Sequence, residues 1–389
     1  MATDPFNNVD KAVYPEIPSE LSPMEYGMPE EMGMEGEDYG DDDDFDIEED
    51  EDGGVTITFG GDTEAKDPKN APFNANLAEY VDEKELSSIS TDLISMIEDD
   101  DSSRQEWKDT YEKGMTLLGL QYEERTEPFD GASGVVHPIL NESCVQFQAQ
   151  AYKELLPPGG PVRTQVIGMV IPEREAQAER VRTFMNYEIT HVMEEYDPDF
   201  DQMLYYVGYG GSAFKKVYYD GFLGRATSPY ILPKDLIVPY TARDLLTAER
   251  VTHVTRVSAN ELRKQMVAGV YRDVDLGKPG VTEADEIQEK IDQINGVEPS
   301  EESDEYTLYE CHCNLDLPGF EDELNDGKRT GIKLPYIVTI EKDSGEILAI
   351  RRNYKANDPL RKKRQYFVHY KFLPGMGFYG FGLVHLLGN

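Results

Sequence analysis

The sequence has few cysteines, a deficit of basic residues and no long apolar run. Its 389 residues include three cysteines, Cys144, Cys311 and Cys313, and this small, odd number argues against a disulfide framework and favours a reducing compartment. No apolar run reaches the roughly 18 residues that a membrane-spanning helix needs. The N-terminus also lacks the basic start and apolar core of a signal peptide. The sequence therefore predicts a soluble protein, cytosolic where it is made, with no membrane partner.

Negative charge is concentrated near the N-terminus. The formal net charge is −40, and residues 1–109 carry 34 acidic and 6 basic residues. We expect residues 1–72 to be a disordered acidic tail, because so polar a segment cannot bury enough apolar surface to offset its loss of conformational entropy. The alternating run Val55–Phe59 resembles a short strand within it. The tail is either solvated or a docking arm that mimics DNA.

The next part of the chain has the period of amphipathic helices. Helices are predicted over residues 77–118, with a break at Asp99–Ser102 and a cap from Ser102 or Ser103, then over 134–156, 172–196 and 199–207. Gly208, Gly210 and Gly211 end the last of these. This helical part covers residues 77–211.

From residue 212 the period becomes that of strands, with helices at 260–268, after a capping box at Ser258 and Glu261, and at 283–295. Strands are predicted at the following ranges: 214–219, 230–238, 250–257, 306–315, 336–341, 347–352 and 366–372. The fold class is therefore α+β, with N-terminal helices packed on a mixed or antiparallel sheet in a body of residues 73–389. The strand-containing part ends at about residue 379, and residues 380–389 begin a further helix that we expect to be truncated.

One helix and the corner after it organise the chain. Val136, Leu140, Cys144, Phe147, Ala151 and Leu155 step by three or four residues and predict one buried face. Pro157, Pro158, Gly159, Gly160 and Pro161 then stop the helix and redirect the chain into an extended run, Val162 to Met169.

This helix–corner–strand segment resembles the portal proteins of short-tailed bacteriophages (podoviruses), the head-to-tail connectors. Two later stretches support the resemblance, FDQMLYYVGYGGSAFKKVYY from Phe200 and YFVHYKFLPGMGFYGFGLVHLLG from Tyr366. The resemblance implies a wing-like body and a ring of about twelve identical subunits at one vertex of the virion, assembled in the host cytoplasm. It also implies a channel through which double-stranded DNA is packaged and ejected, and segments beyond residue 389.

The partners that the resemblance implies follow from that role. They are the terminase large subunit (the packaging ATPase), the major capsid and scaffolding proteins, the tail or head-completion proteins, and double-stranded DNA that passes without sequence-specific contacts. We expect the oligomer contacts to involve the helix at residues 134–156. The mildly acidic charge of residues 110–389, with 43 acidic and 31 basic residues, suits a conduit that repels phosphates weakly.

The motifs that could carry chemistry are weak. Gly375, Gly377 and Gly380 match the dinucleotide spacing, but the bulky Met376, Phe378 and Tyr379 favour a packing corner. Cys311-His312-Cys313 lacks the second ligand pair of a zinc site, and on a strand His312 points away from both cysteines. No phosphate-binding loop, nucleophile elbow or local catalytic pair is present. The sequence predicts no catalytic residue, no cofactor and no metal.

A basic run, Arg361, Lys362, Lys363 and Arg364, reverses the prevailing charge. It is either a DNA contact without sequence specificity, a solvated loop between strands, or a partner for acidic surface on a neighbouring subunit. Two alternatives to a portal remain: another head or tail protein of the virion, and a nucleotide-binding enzyme that uses Gly375–Gly380.

Overall fold

The structure, a computed structural model, describes residues 45–49, 55–59, 68–120, 129, 137–279, 286–296, 305–323 and 328–387. The chain divides into two units, Met1–Thr63 and Glu64–Asn389. In the first unit, strands β1 (Phe45–Glu49) and β2 (Val55–Phe59) pair antiparallel, which confirms the strand predicted at Val55–Phe59. The rest of the predicted acidic tail up to residue 67 lies outside the described residues, as do Val136 and the predicted start of the organising helix at Gly134.

The helices of the second unit form where the apolar residues repeat every three or four positions. In chain order they are α1 (Glu83–Ser102), α2 (Gln105–Leu117), α3 (Ile139–Leu155), α4 (Pro172–Tyr187), α5 (Tyr196–Gly210), α6 (Ala259–Val267), α7 (Glu286–Asn295) and α8 (Leu383–Leu387). Pro172 occupies the first turn of α4, where a missing N–H costs nothing. A π-helical turn, Glu188–Val192, joins α4 to α5.

The strands form antiparallel sheets, so the chain is a mixed α+β protein. In chain order they are β3 (Ser212–Lys216), β4 (Tyr218–Asp220), β5 (Arg225–Thr227), β6 (Tyr230–Ile231), β7 (Leu236–Ile237), β8 (Val251–Ser258), β9 (Glu305–Leu315), β10 (Leu334–Glu341), β11 (Ile347–Arg352) and β12 (Phe367–Lys371). A five-stranded sheet has the order β11-β10-β9-β8-β7, and a three-stranded sheet has the order β12-β3-β6. Strands β4 and β5 form a separate hairpin.

Strand β9 lies at the centre of the fold and is covered on both faces. Cys311 and Cys313 join the apolar cluster that contains the α1 residues Leu86 and Leu93. On the opposite face, the His312 ring lies 4.9 Å from the ring of Phe367 in the three-stranded sheet. A strand covered on both sides loses the alternation of buried and exposed positions, which is why nearly every middle residue of β9 is buried.

A glycine-rich contact joins α5 to the segment before α8. Gly211 has φ of +85° and ends α5, and an added Cβ there would lie 2.2 Å from the carbonyl carbon of Phe381. Gly380 and Gly382 approach the same backbone from the other side. Only glycine tolerates both the left-handed conformation and this close approach of backbones.

Some local predictions are confirmed and others are wrong. Gly345 makes the turn between β10 and β11 with φ of +73°. As predicted, the Ser258 hydroxyl accepts a hydrogen bond from the backbone N–H of Glu261 (3.3 Å). The expected serine cap of α2 is absent, because the Ser103 hydroxyl donates instead to the carbonyl of Asp100 (2.6 Å) and Arg104 occupies the cap position. The break between the two helices lies at Ser103 and Arg104, just after the predicted position, since α1 continues through the acidic run to Ser102.

The predicted buried face of α3 is only partly correct. Leu140 and Cys144 are buried, but Leu155 is 50% exposed. Leu156 rather than Leu155 packs on the cluster around Phe200.

Candidate functional site

The segment that connects α3 to α5 in the chain exposes several large apolar side chains. Residues 157–192, called the arm below, comprise the proline–glycine corner, an extended segment, α4 and the π-helical turn. Two polar side chains bind the extended segment to α4. Asn186 accepts a hydrogen bond from the N–H of Val162 (2.9 Å) and donates to its carbonyl (3.2 Å), and the Thr164 hydroxyl donates to the carbonyl of Ala178 (3.0 Å).

The corner has a specific backbone requirement. Gly160 has φ of +88°, and an added Cβ would lie 2.4 Å from the Asn186 side chain. The Gly160 N–H donates to the carbonyl of Pro157 (2.8 Å), which closes the turn. A glycine in the left-handed region therefore places the extended segment directly against the amide that holds it.

The arm exposes its apolar side chains instead of burying them. None of the residues of α4, all of which the structure describes, is buried. Its exposed large apolar side chains are Val181, Phe184, Met185 and Tyr187, and those of the extended segment are Ile167, Met169 and Val170. Phe184 is 63% exposed and Ile167 is 91% exposed. Exposed apolar side chains concentrated in one segment are typical of a surface that binds another macromolecule.

The predicted basic run lies in the loop between β11 and β12, and its four side chains have different surroundings. Arg361, at φ of +45°, forms an ion pair with Asp322. Lys363 turns inward toward the carbonyl of Ala248 (3.4 Å), and burial lowers the pKa of its ammonium group. Lys362 and Arg364 are exposed, and the Arg364 guanidinium lies 5.2 Å from the centre of the Tyr366 ring. The structure therefore presents two of the four cations to a partner.

The glycine-rich segment at Gly375–Gly380 forms a packing corner. The side chains of Phe378 and Tyr379 point into the core and are 0% and 2% exposed, while Met376 is 94% exposed. The Tyr379 ring stacks on Trp107 at 4.5 Å, and its hydroxyl donates to the carbonyl of Leu236 (3.0 Å). The segment's own aromatic rings thus occupy the space beneath the turn.

Cys311, His312 and Cys313 are arranged as the strand period predicts, with the cysteines on one face of β9 and the histidine on the other. Within the part of the chain that the structure describes, no three His, Cys, Asp or Glu side chains come together in a group that could hold a metal ion.

A charged cluster that the sequence does not reveal lies on the histidine face of β9. Glu310 accepts a hydrogen bond from the Lys216 ammonium (2.6 Å) and from the His312 Nε2 (2.7 Å). Burial alone would raise the pKa of Glu310, but Lys216 and His312 outweigh it and hold that pKa well below its usual range. Burial lowers the pKa of nearby His253 to about 4.

A second charged cluster joins the turn between α1 and α2 to the sheet. Arg104 is 1% exposed and donates to the carbonyls of Pro233 (2.9 Å), Lys234 (2.6 Å) and Leu236 (3.2 Å). It also donates to the Tyr379 hydroxyl (3.1 Å) and pairs with Asp101 at 2.7 Å. These hydrogen bonds join the turn between α1 and α2 to residues 233–236 and to Tyr379, so the cluster stabilises the fold.

No family model matches the chain, and a search of curated proteins finds no match either. Among the described residues no helix is long and apolar enough to cross a membrane. Among the described residues, the arm and the exposed cations Lys362 and Arg364 form the two surfaces best suited to bind a partner.

Proposed function

We propose that this chain is the subunit of a portal-type ring, the channel at one capsid vertex through which double-stranded DNA is packaged and later ejected. The observation that carries the proposal is the arm, in which no residue of α4 is buried and large apolar side chains of both α4 and the extended segment are exposed. Such a surface loses contact with water when copies of the chain associate, and association then gains the free energy of apolar burial. The segment that carries the resemblance, from the end of α3 through the corner, is the root of this arm.

In this proposal, the oligomer contact expected at residues 134–156 involves only the outer face of α3, together with the arm. The buried face of α3 packs on α5, where an added Cβ at Gly208 would lie 2.8 Å from the Phe147 ring. The inner face of α3 is therefore committed to the chain's own core. The arm and the outer face of α3, where Val145 is 49% exposed, are the surfaces left for a neighbouring subunit.

Charge supports the conduit part of the proposal. Residues 110–389 carry a modest excess of acidic groups, and a channel wall of the same sign as DNA lets the duplex slide without being held. Lys362 and Arg364 would supply weak phosphate contacts that do not depend on sequence. In this proposal the body is wing-like, the ring has about twelve copies, and the packaging ATPase, the capsid and scaffolding proteins and the tail proteins bind the assembled ring in the virion.

The proposed role is structural rather than enzymatic. The alternative of a nucleotide-binding enzyme has less support, because Phe378 and Tyr379 fill the space beneath the Gly375–Gly380 turn. The alternative of another head or tail protein also uses an exposed apolar arm, and it differs from a portal in the symmetry of the assembly.

Negative-stain electron microscopy and sedimentation velocity of the full chain test the proposal. Closed rings with a central channel wide enough for duplex DNA are expected. Phe184→Asp should shift the chain toward monomer, because it places a charge in the apolar patch, whereas Val267→Asp, at a 76% exposed position of α6, should not. A chain that stays monomeric at all concentrations, or that forms open filaments or dimers only, would contradict the proposal.

A further inference from the structure

A shallow groove runs between α3 and α5 beside the root of the arm. Its lining includes the following residues: Val145, Ala149, Tyr152, Asp197, Pro198 and Asp201. The lining is mainly apolar, the α5 edge carries two carboxylates, and the α3 edge carries one cation, Lys153. The Tyr152 hydroxyl donates to Asp197 (2.6 Å), which ties the two helices together at the end where the arm begins.

The outward face of α4 has matching chemistry. Arg180, Phe184 and Tyr187 are spaced by four and three residues, so they share one face of the helix. The three side chains are exposed and line one surface depression together with Thr183 and with Glu179, which is paired with Arg182. Asn186, which holds the extended segment, lies on a different side of the helix.

We propose that α4 of one copy docks into the α3–α5 groove of a neighbouring copy. Phe184 would pack over Ala149, whose small side chain leaves room for an aromatic ring, and Arg180 would pair with Asp201 and Asp197. A helix seated between two others uses the same knob-in-groove packing that joins helices within one chain. The pairing of an arginine with two carboxylates gives the docked helix a defined register.

This arrangement also accounts for how a ring could close. The donating surface and the accepting groove are different parts of the chain, so each copy binds one neighbour through its arm and receives the arm of the other. Contacts of this head-to-tail type generate closed rings when the rotation between copies closes. The inference rests on the proposed ring function and adds the surface on which the neighbouring copy binds.

Charge reversal tests the pairing. Arg180→Asp and Asp201→Arg are each expected to weaken self-association of the full chain at least about tenfold in sedimentation velocity, and the double variant should recover most of it, because the pair is restored with its signs exchanged. A double variant as weak as the single variants, with the unmodified chain still forming rings, would overturn the docking proposal and leave the ring intact. A monomeric unmodified chain would overturn both.

Cross-linking between two differently marked chains gives a second test that does not depend on charge. Thr183→Cys in one chain and Ala149→Cys in the other should form an intermolecular bridge with a short bismaleimide, since the native cysteines Cys144, Cys311 and Cys313 are buried. The matched control pairs Thr183→Cys with Val267→Cys on the exposed face of α6. Equal yields for the two pairs would overturn the proposed contact.

Discussion

Phe378 and Phe184 are the same residue type in two regions of this chain, and their surroundings are opposite. Phe378 is 0% exposed and lies parallel to the Phe214 ring at 6.0 Å, within the core of the second unit. Phe184 is 63% exposed in the arm. The described residues of the second unit outside the arm, called the body below, contain the buried aromatic clusters and the buried Arg104, whereas no residue of α4 in the arm is buried. In the proposed ring, the body supplies the folded core of each subunit and the arm supplies the contact with a neighbouring copy.

The comparison extends to arginine. Arg104 lies in the body with hydrogen bonds to three backbone carbonyls, a hydroxyl and a carboxylate, while Arg180 lies exposed on the arm. Replacing Arg104 should affect folding, and replacing Arg180 should affect association. The four predictions below test this division, from the largest expected effect to the smallest.

Arg104→Ala should lower the free energy of unfolding by about 4 kcal/mol, because it removes the guanidinium that donates to the carbonyls of Pro233 and Lys234 and leaves Asp101 with Lys108 as its remaining cation. Arg180→Ala, at an exposed position of the arm, should change it by less than about 0.5 kcal/mol. Equilibrium urea unfolding followed by circular dichroism measures both. Arg104→Lys should recover only part of the loss, since an ammonium has fewer donors than a guanidinium. Equal effects of the two alanine substitutions would contradict the division between body and arm.

Much of the fold could be predicted because its signals are local. Strands β9, β10 and β11 and helices α2, α5 and α6 follow from hydrophobic period and from glycine and proline within a few residues. The α1–α2 break was predicted in the right place within a few residues, but not its cap. A serine hydroxyl at this position can accept from a backbone N–H of the next helix or donate to a carbonyl of the preceding one, and only the packed turn decides between them.

The two charged clusters could not be predicted in the same way. Lys216 and Glu310 are 94 positions apart, and the partners of Arg104 lie about 130 positions further along the chain. No local pattern connects such residues, since only the sheet topology brings them together. The arm was predicted as helix and extended segment, but its exposure was not, because an amphipathic period does not show whether the apolar face is covered by the same chain or by another.

Gly211→Ala tests the close backbone contact that holds α5 against the segment before α8. It should destabilise the body by about 3 kcal/mol, because the new Cβ meets the Phe381 carbonyl carbon and the residue must keep φ of +85°. Gly224→Ala is the matched control, with φ of +65° at the β4–β5 turn and nothing within 4 Å of the added Cβ, so only the conformational cost of about 1 kcal/mol remains. Thermal unfolding compares the two, and a loss of equal size would show that the contact adds nothing.

Acid should weaken the body through its buried histidines. Burial lowers the pKa of His253 to about 4, so between pH 6.5 and 4 the unfolded chain binds a proton that the folded chain does not. Stability is therefore highest above pH 6.5 and is lost as the pH falls toward 4, by on the order of 3 kcal/mol for this one group. The depressed pKa of Glu310 adds a further loss below about pH 4.5, where unfolded carboxylates take up protons.

His253→Gln should flatten the part of this loss between pH 6.5 and 4 in a series of urea unfolding curves. His191→Gln, which changes an exposed ring of the arm, is the control and should leave the series unchanged. A curve for His253→Gln with the same slope as the unmodified chain would mean that its ring does not resist protonation in the folded state.

The smallest effect is expected at the basic loop, where exposed and paired cations alternate. Replacing both Lys362 and Arg364 by alanine should weaken binding of the full chain to a short DNA duplex severalfold at low salt and reduce the slope of log affinity against log salt by about 2, since each exposed cation releases roughly one counterion. Arg361→Ala should change that slope by less than about 1, because its guanidinium is already paired with Asp322. Fluorescence anisotropy across a salt series measures both. If the exposed pair and Arg361 contributed equally, or if neither changed the slope, the loop would be a solvated connection between β11 and β12, and the arm would be the one surface of the two that binds a partner.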